Sequence, residues 1–159
     1  MRKLAVAVLG AVLLSAGAPA KKAADAPGKA EKAEAFSLPD LDGKQVKLED
    51  ALAKGYVVLN FWARWCSSCK EEIPQLAELM KSPGADKTSF IGVNVGDSAD
   101  KAGKFAAKFK YPYAVLLDKD KAVAKKYGVM GLPVTMILAR DGRIVFRGSR
   151  PPKTFDFTK

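Results

Sequence analysis

Tyr56 to Trp62 reads Tyr-Val-Val-Leu-Asn-Phe-Trp, an apolar run broken only by Asn60. Its length is that of a strand, and it shows no polar alternation. A strand of this kind needs cover on both faces, which points to the middle of a sheet flanked by helices. Directly after it come Trp65-Cys66-Ser67-Ser68-Cys69 and a helical pattern. Cys69, Ile73, Leu76 and Met80 fall at i, i+4, i+7 and i+11 on one face, with Lys70, Glu71, Glu78 and Lys81 elsewhere on the helix surface. Pro74 lies inside this pattern and predicts a kink; Ser82-Pro83-Gly84 predicts the end of the helix.

The rest of the chain extends the same alternation. Phe36 to Leu48 predicts short extended stretches around an Asp42-Gly43 turn. Phe90 to Val95 is a second buried strand, followed by a helix with Ala102, Phe105, Ala106 and Phe109 on one face. Tyr113 to Leu117 is a short strand, and Asp120 caps a brief helix ending at Gly128. Val134 to Ala139 and Arg143 to Arg147 form a hairpin about Asp141-Gly142. Together these elements imply an α/β fold, a three-layer sandwich with a mixed central sheet and an N-terminal β-hairpin.

The N-terminal part has a different character. Arg2 and Lys3, the apolar run Leu4 to Leu14 and the small-x-small triplet Ala18-Pro19-Ala20 have the form of a signal peptide over residues 1–20, cleaved after Ala20. An uncleaved N-terminal membrane anchor is the alternative. Residues 21–35 hold only Ala, Lys, Glu, Asp, Pro and Gly, and read as a disordered linker. The folded domain is then 36–159, working in a periplasmic or secreted setting where disulfides persist.

The chain has no His, which excludes Ser-His and Cys-His catalytic pairs, His-ligated zinc or copper and a haem axial His. Two Cys are too few for a four-thiolate zinc site. No metal site or cofactor motif is expected. Lys plus Arg number 27 against 17 Asp plus Glu. These cations are scattered singly or in pairs and read as a solvated surface, with no nucleic-acid stripe. A face for acidic partners or anionic lipid headgroups is the weaker alternative.

The only two Cys, Cys66 and Cys69, therefore carry the chemistry. At the helix N-terminus, unsatisfied N–H groups favour a Cys66 thiolate, whereas Cys69 on the apolar face is shielded. One thiol is poised to attack and the other to resolve a mixed disulfide. A structural disulfide is the bland alternative, although so short a loop closes little chain entropy. A metal-binding Cys pair is another, without an evident third ligand.

The segment Val57 to Cys69, VVLNFWARWCSSC, resembles the active-site segment of the thioredoxin superfamily, and most of all its extracytoplasmic TlpA/ResA-like branch. Phe36 to Gly43 is similar to the N-terminal hairpin of that branch. Tyr127 to Pro133 and Ile137 to Ile144 are similar to its Y-x-V-x-G-x-P segment and final hairpin. The resemblance implies a cis bond before Pro133, placed beside the sulfurs, and a Leu132 backbone that pairs with an extended substrate. It also implies a rim role for Trp65, for which plain packing is the alternative; Trp62 is assigned to the core.

The implied activity is thiol–disulfide exchange, reducing disulfide-bearing client proteins with electrons from a membrane-embedded thiol donor. In relatives, clients include apocytochrome c and copper-site assembly proteins. Alternatives are a peroxiredoxin-like thiol peroxidase, which wants Thr-x-x-Cys where this chain has Ala63-Arg64-Trp65-Cys66, and a non-enzymatic copper- or client-binding thiol module. Asn60 replaces the buried Asp of thioredoxin, so the resemblance supplies no proton acceptor for Cys69. The Ser67-Ser68 pair leaves the redox potential open. After the final hairpin, residues 149–159 contain two adjacent Pro and no helical apolar spacing. The C-terminal helix of the superfamily is thus expected to be missing. The sheet face is then left partly bare and dye-binding, or covered by a partner or by Phe155 and Phe157 folded back.

Overall fold

The computed structural model describes residues 31–159. The signal segment and most of the expected linker lie outside the described residues. In chain order the elements are β1 (Ser37–Pro39), β2 (Gln45–Lys47), α1 (Leu48–Leu52), β3 (Val57–Trp62), α2 (Ser67–Glu71), α3 (Ile73–Leu79), β4 (Ser89–Val95), α4 (Ala99–Phe109), β5 (Ala114–Asp118), α5 (Ala122–Lys126), β6 (Val134–Leu138) and β7 (Ile144–Gly148). The main sheet has the order β5-β4-β3-β6-β7, with β4 parallel and β6 antiparallel to β3. β1 and β2 form a separate antiparallel hairpin. The mixed sheet and N-terminal hairpin agree with the sequence reading.

β3 is buried at every position. Val57, Leu59 and Phe61 point to one face, where Leu48 and Ala51 of α1 and Val123 and Ala124 of α5 pack with Phe36 and Leu38. Val58 and Trp62 point to the other, covered by Leu76 and Leu79 of α3 and by Ala102 of α4. The period of two in a pleated strand thus divides one apolar run between two cores.

Four local readings change. The helix after the Cys pair breaks at Glu72, two residues before Pro74, because proline cannot donate to the carbonyl four residues back and its ring crowds that carbonyl. The cap of α5 is shared: Asp120 accepts from the Ala122 N–H, whereas the buried Asp118 accepts from Val123 and Ala124 at 3.2 and 2.8 Å. The short helix α1 follows β2 without a sequence signal that the apolar pattern registers. The expected linker, finally, is ordered over its last residues. The Ala33 N–H donates to the Gly142 carbonyl, and Ile144 donates to Glu31. Arg147 pairs with the Glu31 carboxylate at 2.6 Å.

No helix follows β7 among the described residues, yet the sheet face beneath is not bare. Phe157 is 6% exposed and joins the cluster of Val58, Leu76, Leu79, Tyr113 and Ile137. Its ring meets Tyr56 and Phe90 edge to face at 5.7 and 5.8 Å, and Phe155 meets Tyr56 at 5.7 Å. The Phe157 N–H donates to the Pro83 carbonyl, Phe155 donates to Ser82 Oγ, and Tyr56 donates to the Lys159 carbonyl. An extended segment with alternating aromatics does the covering, so the sticky face expected from a missing helix does not arise. Phe157→Ala is expected to lower the unfolding free energy by about 3 kcal/mol, the cost of a truncated buried Phe. It should also create binding of a hydrophobic dye that the parent lacks; urea titration and dye fluorescence measure both.

Candidate functional site

Where β3 ends, the chain turns through Ala63, Arg64 and Trp65 and delivers Cys66 as the N-cap of α2. Cys66 has extended backbone angles, and its Sγ accepts the Cys69 N–H at 3.1 Å. The two cysteines are joined as a disulfide. Cys66 is 7% and Cys69 2% exposed, so both are buried and Cys69 the more deeply. The approach loop is clamped by Asp97, whose carboxylate accepts the Arg64 N–H at 3.0 Å, the Asn94 amide at 3.0 Å and the Arg64 side chain at 3.1 Å.

The Leu132–Pro133 peptide bond is cis, and Leu132 packs against the cluster that contains Cys66, Cys69 and Trp62. Trp62 lies in the core, its ring 4.7 Å from Tyr111 and 5.0 Å from Phe105. Trp65 is 65% exposed and Met130 of the neighbouring loop 97% exposed. Trp65 therefore takes no part in core packing.

Behind the disulfide runs a buried polar network. Asn60 donates to Glu72 Oε1 at 2.8 Å and to Thr135 Oγ1 at 3.2 Å, and accepts from the Tyr111 hydroxyl at 2.6 Å. Burial holds the Tyr111 hydroxyl well above its ordinary pKa, so it stays a donor. Gly92, paired across the ladder with Asn60, leaves room for the Tyr111 ring; a Cβ there would lie 2.5 Å from it. An Asp at position 60 would lose both amide donors and face the Glu72 carboxylate at close range.

Glu72 is the functional candidate that apolar periodicity passed over. It is fully buried, three residues after Cys69, and its Oε2 has no hydrogen-bond partner among the described residues. Burial raises its pKa to about 7, opposed by the Asn60 hydrogen bond and by the charge of Arg150. A carboxyl in this condition can exchange a proton near neutral pH. The signal was present in the pattern: Glu72 is i+3 from Cys69 and adjacent to Ile73, on the face that should be wholly apolar.

The folded protein holds the Glu72 proton up to about pH 7, whereas the ordinary carboxyl releases it at 4.5. The contribution to stability is fully present below the unfolded value and lost as pH rises through the folded one. Relative to Glu72→Gln, the oxidised parent should lose about 3 kcal/mol between roughly pH 4 and pH 8. Denaturant titrations at both pH values measure this. Parallel pH profiles for the two proteins would contradict it.

Comparison with known proteins adds a lineage to this geometry. The model of the AhpC/TSA family matches residues 30–147. A thiol-disulfide oxidoreductase ResA of Bacillus subtilis (strain 168) is 36% identical over 110 residues, which are 69% of this chain and 61% of that protein. The chain thus spans about 61% of the length of that relative. The thioredoxin-like protein YneN of the same organism is 40% identical over 118 residues, 72% of this chain and 67% of that protein. Among solved structures, the thioredoxin domain of a thiol-disulfide oxidoreductase from Bacteroides vulgatus superposes with a TM-score of 0.70 at 25% identity. That match covers 80% of this chain and 93% of the other.

Proposed function

The chain belongs to the AhpC/TSA family, in its thioredoxin-like form, and from that premise we propose that it is an extracytoplasmic thiol–disulfide oxidoreductase that reduces protein disulfides through Cys66 and Cys69. The observation that carries the reading is the Cys69 N–H donated to Cys66 Sγ at the start of α2. After reduction, that hydrogen bond favours the Cys66 thiolate over the thiol.

The exchange runs in two displacements. The Cys66 thiolate attacks one sulfur of a client disulfide, forming a mixed disulfide and expelling the other client sulfur as a thiolate, which takes up a proton. Cys69 then loses its proton, for which the Glu72 carboxylate is the nearby buried acceptor on the same helix face. Its thiolate attacks Cys66 Sγ, closing the internal disulfide and releasing the second client thiolate. Two electrons pass from the Cys pair to the client, and a membrane-embedded thiol donor would restore them. Glu72 thus fills the role left vacant by Asn60. Leu132 and Pro133 would line the path of the client backbone, and Trp65 its apolar rim.

The site of action is read as outside the cytoplasm, from the residue 1–20 pattern and the relatives' family. Among the described residues no helix is long and apolar enough to cross a membrane. Clients such as an apocytochrome c stay within this proposal. The peroxidase alternative draws on the family's name. Against it, buried Ala63 occupies the position three residues before Cys66 where that chemistry wants a Thr hydroxyl.

Reduced protein carrying Cys69→Ser should accumulate mixed disulfides with a disulfide-bearing protein such as insulin, and Cys66→Ser should accumulate none. Mass spectrometry after acid quenching reads the adducts. Equal trapping by both variants would remove the assignment of attacking and resolving roles.

A further inference from the structure

Beside the Cys pair lies an open groove of about 380 Å³, lined by Arg64, Lys101, Lys104, Phe105, Lys108 and Phe109. Phe105 forms its inner floor, packed on Trp62 at 5.0 Å and on Phe109 at 4.6 Å. The groove starts at Arg64, two residues before Cys66, and follows α4. Lys70, the residue after Cys69, closes the rim with its ammonium 4.6 Å above the Phe109 ring, and Lys108 lies 5.5 Å from the same ring.

Every charged residue lining the groove is a cation. Two are already matched, Arg64 to Asp97 and Lys104 to Asp100 at 2.8 Å. Lys70, Lys101 and Lys108 form no ion pair among the described residues. Three like charges held around an aromatic floor repel one another, and an incoming carboxylate relieves that repulsion. From Lys101 to Lys108 the helix rises about 10 Å, room for about three extended residues. Cations set around the Phe105 and Phe109 rings suit a polypeptide that carries both carboxylates and an apolar side chain.

We propose that this groove docks an acidic segment flanking the client's disulfide, carboxylates on Lys70, Lys101 and Lys108 and an apolar side chain on the Phe105–Phe109 floor. The proposal rests on the thiol–disulfide exchange reading and adds a client class to it. The partner is a polypeptide in which the cysteine to be attacked has Glu or Asp within a few residues. The same field steers encounter, so the preference is in kcat/KM and weakens with salt.

The test uses protein pre-reduced with dithiothreitol and freed of it, and two peptides that share one disulfide. One carries Glu-Leu-Glu beside the reactive cysteine and the other Lys-Leu-Lys. Each rate is normalised to the same protein's reduction of bis(2-hydroxyethyl) disulfide, which is neutral and too small to reach along the groove. The parent should prefer the acidic peptide by about tenfold at low salt, with the preference shrinking as salt rises. Lys101→Glu/Lys108→Glu should abolish or invert it.

Equal normalised rates for the two peptides would overturn the docking site while leaving the exchange reading intact. Failure of the parent to reduce the small disulfide would remove the exchange reading, and the docking site with it. If the double variant instead loses binding to phosphatidylglycerol vesicles while the peptide preference is unaltered, the groove faces lipid and the proposal is wrong.

Discussion

Burial of β3 on both faces is the constraint from which the rest of the structure takes its position. Six consecutive residues with no solvent face demand neighbours on both edges and layers above and below. β4 and β6 supply the edges, α1 and α5 one layer, and α3, α4 and the C-terminal aromatics the other. A strand anchored this firmly fixes where its last residue points. The chain leaves it through a three-residue loop clamped by Asp97 and enters α2 at Cys66. The Cys66 sulfur is thus positioned by a strand that is buried at every residue.

The same strand carries a cost at Asn60. A polar group at the centre of a buried sheet must find all its partners, and Asn60 does so through Glu72, Thr135 and Tyr111. The network leaves one oxygen of Glu72 unbonded among the described residues, in surroundings that push its pKa to about 7. A buried carboxyl one helical turn from Cys69, its pKa raised by burial, is placed to exchange a proton near neutral pH. The strand amide and the helix carboxyl are joined by one hydrogen bond of 2.8 Å, so a change at either alters the other.

Much of this was legible from the sequence because it rests on local rules. β3, the two Asp-Gly hairpins and the placement of Cys66 at a strand–helix joint follow from apolar runs and turn residues. The escapes have a common cause, since each depends on a contact distant along the chain. Helical spacing puts Glu72 on the apolar face, but its bond to Asn60 on β3 is a tertiary contact that spacing does not register. The C-terminal segment lacks helical spacing, yet its two Phe find Tyr56 and Phe90 far upstream. The cations on α4 read as scattered because Arg64 and Lys70, which complete the groove, belong to the loop and helix around the Cys pair. The order of residues 31–35 was also missed, as their pairing with the β6–β7 turn and β7 is made by backbone and by Glu31 rather than by apolar side chains.

The proposed exchange needs an unequal pair of thiols, Cys66 favoured as a thiolate by the Cys69 N–H and Cys69 the more deeply buried. Titration of thiolate ultraviolet absorbance in the reduced protein, repeated on each single Cys→Ser variant, tests this most directly. Cys66 should ionise clearly below the value of about 8.5 for a free thiol, and Cys69 above it. Two coincident titrations near that free value would contradict the account.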